Sequence, residues 1–293
     1  MKTGVQGMLI RWSILFVLLY FGPIFSSIPP SKPAGWDAWR FNQKIKWRGK
    51  HLDPRIPYAS LVDKLLVKKI VHDEIATAKV FFATNDPREI SLEKLPSTFM
   101  MKSNNASGRG ILVKDGLVMA TKKREGIVPK KCTNELLRRY AKKWLSEIYG
   151  SDNEKQYRLI KSMIFFEEYL EDITMELELY LFNGKVRVIT LFFANGYTNK
   201  PSVSYYDENW NLFDVIHPRF ISKNDPIEKP PYLEKLIAFA ERFGAQMDHV
   251  RVDFFITPKE IYFGEFTFTT GGGIGVSHLN SIMGNYWDFP DPN

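Results

Sequence analysis

The alternation of apolar and polar positions is strongest in residues 249–275, HVRVDFFITPKEIYFGEFTFTTGGGIG. Two runs rich in Val, Phe, Ile and Tyr flank Thr257-Pro258-Lys259-Glu260, and this pattern predicts an antiparallel hairpin. Alternate side chains of a strand share a face. Arg251 and Asp253 therefore share one face, with Val250, Val252, Phe254 and Ile256 on the other. In the partner strand Glu265 and Thr267 share a face, opposite Phe266 and Phe268. A turn of this length sets Asp253 opposite Glu265 to within about one residue. A second hairpin is predicted over residues 176–182 and 185–193, joined by Asn183-Gly184, the strongest short hairpin signal. Shorter strands are predicted at 78–82, 99–103, 111–114 and 163–166, with a strand–turn–strand piece over 205–213.

Helical spacing marks three further stretches. The first starts at Ser60 as N-cap, with Leu61, Val62, Leu65, Leu66 and Ile70 on one side and Lys64, Lys68 and Lys69 on the other. The second, 130–149, has an apolar stripe from Leu136 to Ile148 and a basic face of Arg138, Arg139, Lys142 and Lys143. The third, 231–243, turns Leu233, Leu236, Ile237, Phe239 and Ala240 inward and ends at Gly244. Residues 91–96 read as a short helical turn. Residues 28–57 are rich in Pro and Trp without clear periodicity and read as a linker packed on the domain.

Residues 1–27 carry an apolar run from Trp12 to Phe21 after Lys2 and Arg11. Its length fits the apolar part of a signal peptide and is short for a spanning helix. A buried helix of the domain is the third reading. If it spans, the basic residues from Lys32 to Lys50 outnumber those before it and favour the following domain on the cytoplasmic side. A cleaved segment implies the secretory pathway instead.

At 293 residues, with 25% charged and 14% aromatic positions, the chain is globular rather than disordered. A net charge of +7 favours anionic partners such as phosphates, nucleotides, acidic polymers or an anionic membrane surface. The single cysteine, Cys132, excludes an internal disulfide and a multi-Cys zinc site. Two carboxylates side by side in an apolar hairpin need a cation. Oxygen ligands alone suit Mg²⁺ or Mn²⁺; the bland alternative is a solvated face with a structural ion pair. The small-residue loop Asn104-Asn-Ala-Ser-Gly108-Arg-Gly110 lies between two strands and exposes backbone N–H groups that can wrap phosphate. It lacks the Gly-Lys-Ser/Thr ending of a Walker loop and also reads as a plain hairpin turn. Asn105-Ala-Ser107 matches a glycosylation sequon.

Taken in order, several segments resemble the ATP-grasp fold, in its teichuronopeptide-biosynthesis (TupA-like) branch. They are residues 63–71, Leu95-Pro through Lys102 to Gly108, Phe166-Glu-Glu-Tyr-Leu170, Phe182-Asn-Gly-Lys185, Tyr206-Asp-x-x-Trp210-Asn-Leu, and Val250-Arg-Val-Asp253 followed by Phe263-Gly-Glu-Phe-Thr-Phe268. The resemblance covers about residues 58–289 and implies an α+β fold. Two subdomains, about 58–165 and 166–289, clamp ATP in it. It implies an ATP- and Mg²⁺-dependent (or Mn²⁺-dependent) carboxylate–amine ligase working through an acyl phosphate, with cell-surface polymer biosynthesis as the expected setting and no nucleic acid as partner. A kinase on the same architecture and a degenerate membrane-tethered binding module are the alternatives. Carried over by position, Lys102 contacts the α/β-phosphates and Asn104, Ser107, Gly108 and Gly110 form the lid. Glu167 and Glu168 lie beside adenine and ribose, and Lys64 is supportive. Asp253, Glu265 and Thr267 hold the metal, Arg251 neutralises the transferred phosphoryl group, and Gly271, Gly272 and Gly273 approach the acceptor. The resemblance also notes Glu178 where a lysine is usual, and Thr267 where many relatives carry asparagine.

Overall fold

The alternating runs assemble into two six-stranded sheets. The structure is a computed structural model that describes residues 29–121, 130–193, 202–217, 220–222, 225–273 and 279–290. The apolar segment 1–27 lies outside the described residues, as does the end of the glycine-rich loop, 274–278. In chain order the elements are α1 (Phe41–Lys50), α2 (Tyr58–Val62), α3 (Leu66–Val71), β1 (Val80–Thr84), β2 (Phe99–Ser103), β3 (Gly110–Lys114), β4 (Leu117–Thr121) and β5 (Lys130–Lys131). There follow α4 (Asn134–Ser146), β6 (Ile164–Glu167), β7 (Met175–Phe182), β8 (Lys185–Phe193), β9 (Ser202–Asp207), β10 (Ile221–Ser222), α5 (Leu233–Gly244), β11 (His249–Ile256), β12 (Ile261–Thr267) and α6 (Asn280–Tyr286). The strand orders are β1-β6-β2-β3-β4-β5 and β10-β9-β8-β7-β11-β12.

Strand period decides what each face meets. In the first sheet Phe99, Met101, Ile111, Val113, Ile164 and Phe166 pack under α4 through Leu137, Ala141 and Trp144. Their neighbours Met100, Lys102, Phe165 and Glu167 turn to the opposite face, where Met100 pairs with Glu167 and Lys102 with Phe165. In the second sheet Leu177, Leu179, Leu181, Val250, Val252 and Phe254 pack against Leu233, Leu236 and Phe239 of α5. The other face, from Tyr180, Phe182 and Val188, is closed by Trp36, Phe41 and Ile45 and by Met283 and Trp287.

Several sequence expectations are corrected. The helix starting at Ser60 is broken in two, because the Asp63 side chain accepts from the N–H groups of Leu65 and Leu66 at 2.8 and 3.2 Å. That local turn competes with the continuing helix and caps α3. The basic helix begins at Asn134, after the Thr133 hydroxyl accepts from the Leu136 N–H, and Lys130–Lys131 is a short edge strand instead. The unperiodic region 28–57 contains α1, whose buried face includes Lys44 and Arg48, so polar residues hide its helical period. Among the described residues no helix is long and apolar enough to cross a membrane.

Candidate active site

The hairpin's carboxylates, Asp253 and Glu265, are brought together by a bulge. Arg251 pairs with Thr267 and Val252 with Phe266, but Phe254 pairs with Phe263, so Gly264 and Glu265 both lie against Asp253. Glycine permits this: a Cβ at position 264 would stand 3.0 Å from the Asp253 carbonyl oxygen. The expected register, within one residue, is what forms.

Arg251 sits at the centre of this face. Its Nε donates to Asp253 Oδ1 at 2.7 Å, and its Nη2 donates to Oδ2 at 2.5 Å. Nη2 also lies 3.4 Å from Thr267 Oγ1 and 3.7 Å from Glu265 Oε1. One nitrogen thus occupies the point on which Asp253, Glu265 and Thr267 converge. Three oxygens meeting at a cation match the donor chemistry of Mg²⁺, so the residues fit that ion. On the other side, Nη1 is 3.4 Å from Glu178 Oε1, while Tyr180 donates its hydroxyl to Glu178 Oε2 at 2.9 Å. Glu178 faces Asp253 directly across β7 and β11. Glu176, Glu178 and Asp253 also offer one oxygen each within 4.8 Å of one another. Burial pushes the Asp253 carboxyl up to about 7, against the pull of Arg251 and with the push of Glu178. Burial likewise raises Glu178.

A cavity of about 280 Å³ opens between the two sheets beside this cluster. Met100, Phe165, Phe255 and Phe263 give it an apolar slot, and Lys64, Lys68 and Lys102 a cationic side. Ser107, Gly108 and Gly110 of the predicted lid line it, as do Glu167, Glu168, Asp253 and Glu265. The lysines are paired with the cavity's acids: Lys64 with Glu265, Lys102 with Glu167, and Lys68 with Glu167 at 2.9 Å. Burial favours a neutral Glu167, but Lys102 and Lys68 outweigh it and hold the carboxyl below its ordinary range. Glu168 is exposed at the end of β6 and accepts from the Lys79 N–H at 3.3 Å.

Not every predicted residue reaches the cavity. The Asn104 amide is fully buried and spent on structure, donating to Asp63 and to the Lys161 carbonyl and accepting from the Met163 N–H. It braces the lid's base and does not line the space. Asn105 is equally engaged, donating to Ser162 and accepting from Ser103, so the sequon is no surface acceptor in this fold. Gly271, Gly272 and Gly273 form a left-handed turn with φ of 56°, 58° and 77°, away from the lining. The Gly273 position is crowded by the Asn42 carbonyl of α1, 2.8 Å from where a Cβ would stand.

Lys68 and Glu176 line the cavity although sequence pattern did not single them out. Lys68, expected on the polar side of its helix, keeps only 12% of its side chain exposed. Lys64 lies in the break between α2 and α3, so helical spacing from Lys64 does not foretell that Lys68 also lines the cavity.

Two six-stranded sheets, antiparallel except for β9–β10, with the cavity between them and acids on a hairpin at its edge, form an ATP-grasp fold. The family model for TupA-like ATPgrasp matches residues 43–286, and the chain belongs to that family. No curated protein matches it significantly. Among solved structures, D-alanine–D-alanine ligase from Bacillus anthracis is 18% identical over 77% of this chain and 67% of its own, with a TM-score of 0.39. D-alanyl-alanine synthetase A from Vibrio cholerae is 14% identical over 78% and 62%, with a TM-score of 0.44. The macrocyclase MdnC from Microcystis aeruginosa, bound with precursor peptide MdnA, is 16% identical over 78% and 59%, with a TM-score of 0.37.

Proposed function

We propose that the protein is an ATP- and Mg²⁺-dependent ligase that joins a carboxylate to an amine. The observation that carries this reading is the convergence of Asp253, Glu265 and Thr267 on one point at the edge of a cavity with an apolar slot and a lysine-lined side. The flat base of ATP suits the slot between Met100, Phe165, Phe255 and Phe263. Lys102 and Lys64 exchange their carboxylate partners for phosphate oxygens, and Lys68 stays on Glu167 so that this buried carboxylate is never left bare. Backbone N–H groups around Ser107–Gly110 close over the phosphates. Bound by Asp253, Glu265 and Thr267, Mg²⁺ supplies charge neutralisation for the transferred phosphoryl group.

The reaction takes two displacements. A carboxylate oxygen attacks the γ-phosphorus and ADP leaves; the amine nitrogen then attacks the acyl carbon, the C–N bond forms, and phosphate leaves with the C–O electron pair. Arg251, beside the metal ligands, offers positive charge to the phosphoryl group in both steps. The net charge of +7 favours an anionic polymer as one substrate. With the apolar segment 1–27, it also favours work at a membrane on cell-surface material, the domain lying on the cytoplasmic side where ATP is supplied.

The test is a thermal-shift titration with ATP, with and without Mg²⁺. A ligand at about a hundred times its Kd stabilises the native state by about 2.7 kcal/mol. A Mg²⁺-dependent rise in Tm that Asp253→Asn abolishes is the expected result. A folded protein with no shift under either condition overturns the proposal.

A further inference from the structure

Arg251 stands where its own neighbours would bind a cation. Nη2 is the nitrogen that Asp253 Oδ2, Thr267 Oγ1 and Glu265 Oε1 surround, at 2.5, 3.4 and 3.7 Å. Two cations cannot share that point, so the guanidinium has to give up Asp253 when these three residues act as ligands. A buried arginine released from its carboxylate, with nothing else to meet, is strongly destabilising. Its side chain is only 13% exposed, and water cannot take over.

One acceptor is already in place. Glu178 Oε1 lies 3.4 Å from Nη1, on the side of the guanidinium away from the ligand oxygens. The other oxygen of Glu178 is fixed by the Tyr180 hydroxyl at 2.9 Å, and the Tyr180 ring lies under the guanidinium, its centroid 5.9 Å from Cζ. Register reinforces this, because Arg251 faces Tyr180 and Asp253 faces Glu178 across the same two strands.

We propose that Glu178, oriented by Tyr180, is the positioning residue that takes over Arg251 when Asp253 turns to the metal. The handover keeps the guanidinium at the edge of the site, aimed at the phosphoryl group, instead of in the metal's place. Glu178 then governs metal affinity through Arg251 and is not itself a ligand. The inference rests on the ligase reading for the identity of the metal site, and the following experiment separates the two.

The probe is Mn²⁺-dependent binding of ADP, followed by calorimetry in the full chain as a function of Mn²⁺ concentration. Glu178→Gln keeps the shape and removes the charge, and it should raise the Mn²⁺ concentration for half-saturation about tenfold. Arg251→Gln vacates the contested point. In that background Glu178→Gln should change half-saturation less than twofold, because its effect passes through the arginine. Tyr180→Phe frees one oxygen of Glu178 and should shift half-saturation two- to threefold in the same direction as Glu178→Gln. It also provides the measurement if Glu178→Gln fails to fold. A tenfold loss from Glu178→Gln that persists without Arg251 makes Glu178 a direct ligand and overturns the inference. Unchanged half-saturation in both Glu178→Gln and Tyr180→Phe overturns it as well. Failure of the wild-type chain to bind ADP with Mn²⁺ overturns the ligase reading on which it stands.

Discussion

His249 shows how far one buried residue can tie stability to acidity. It sits in β11 among Phe41, Phe182 and Trp287, and its Nδ1 lies 2.8 Å from the Leu181 carbonyl. Nδ1 therefore carries the proton and donates, leaving Nε2 buried without a partner among the described residues. Burial drives its pKa down to about 3 from the ordinary 6.5. The folded form binds no proton where the unfolded chain does, so this stability is complete above pH 6.5 and drains away as pH falls toward 3. One such group predicts a loss of about 2 kcal/mol in unfolding free energy between pH 7 and pH 5. Urea unfolding of the wild type and of His249→Phe at both pH values isolates it: the wild type should lose about 2 kcal/mol relative to the variant between pH 7 and pH 5, while Asp253, raised to about 7, acts in the opposite sense in both proteins. None of this is legible in sequence, where His249 is simply the residue before an apolar run. By contrast Arg251, Asp253, Glu265 and Thr267 were legible together, because strand alternation fixes which side chains share a face whatever the tertiary surroundings.

At the scale of elements, period was readable wherever one face is dry and the other wet. The Asn183-Gly184 hairpin and α5 follow from alternation and from 3.6-residue spacing. The exception is α1, which buries Lys44 and Arg48 at 2% exposure each and so disguises its inner face. Lys44 donates to the carbonyls of Gly284 and Trp287 at 2.9 and 2.6 Å, and Arg48 Nε donates to Asp248 Oδ2 at 2.8 Å. The Trp287 indole donates to the same carboxylate oxygen at 3.2 Å. Partners some 200 residues away in sequence cannot be read from local pattern. Removing one member of such a pair strands the other, so Arg48→Met should cost about 3–5 kcal/mol in a denaturant titration. Adding Asp248→Leu should recover part of that loss, since no bare charge then remains. If the double variant is no more stable than Arg48→Met alone, the pair is not what holds α1 in place.

At the scale of the whole molecule, an aromatic layer covers the same face of the second sheet that carries Glu178 and, at the cavity, Glu176 and Asp253, further along the strands. Trp36 packs edge-on against Trp47, Trp287 and Phe289 with centroids 5.2 to 5.5 Å apart, and Phe41 packs on Phe182. The matched family region starts at residue 43, yet Trp36 and Phe41 are fully buried in this layer. A chain begun at residue 52 should therefore lose its cooperative thermal transition, which differential scanning calorimetry would record against the longer form. An unchanged transition would show the layer to be ornamental. The bonds from Lys44 and Trp36 to the Trp287 carbonyl have a consequence for synthesis. While a ribosome is still working on the first two hundred residues, Lys44 lacks the Gly284 and Trp287 carbonyls, Arg48 lacks Asp248, and Trp47 lacks the Phe289 ring. The nascent chain must carry these groups exposed until Asp248 and Trp287 emerge, and closure of this layer is then among the last events of its birth rather than the first.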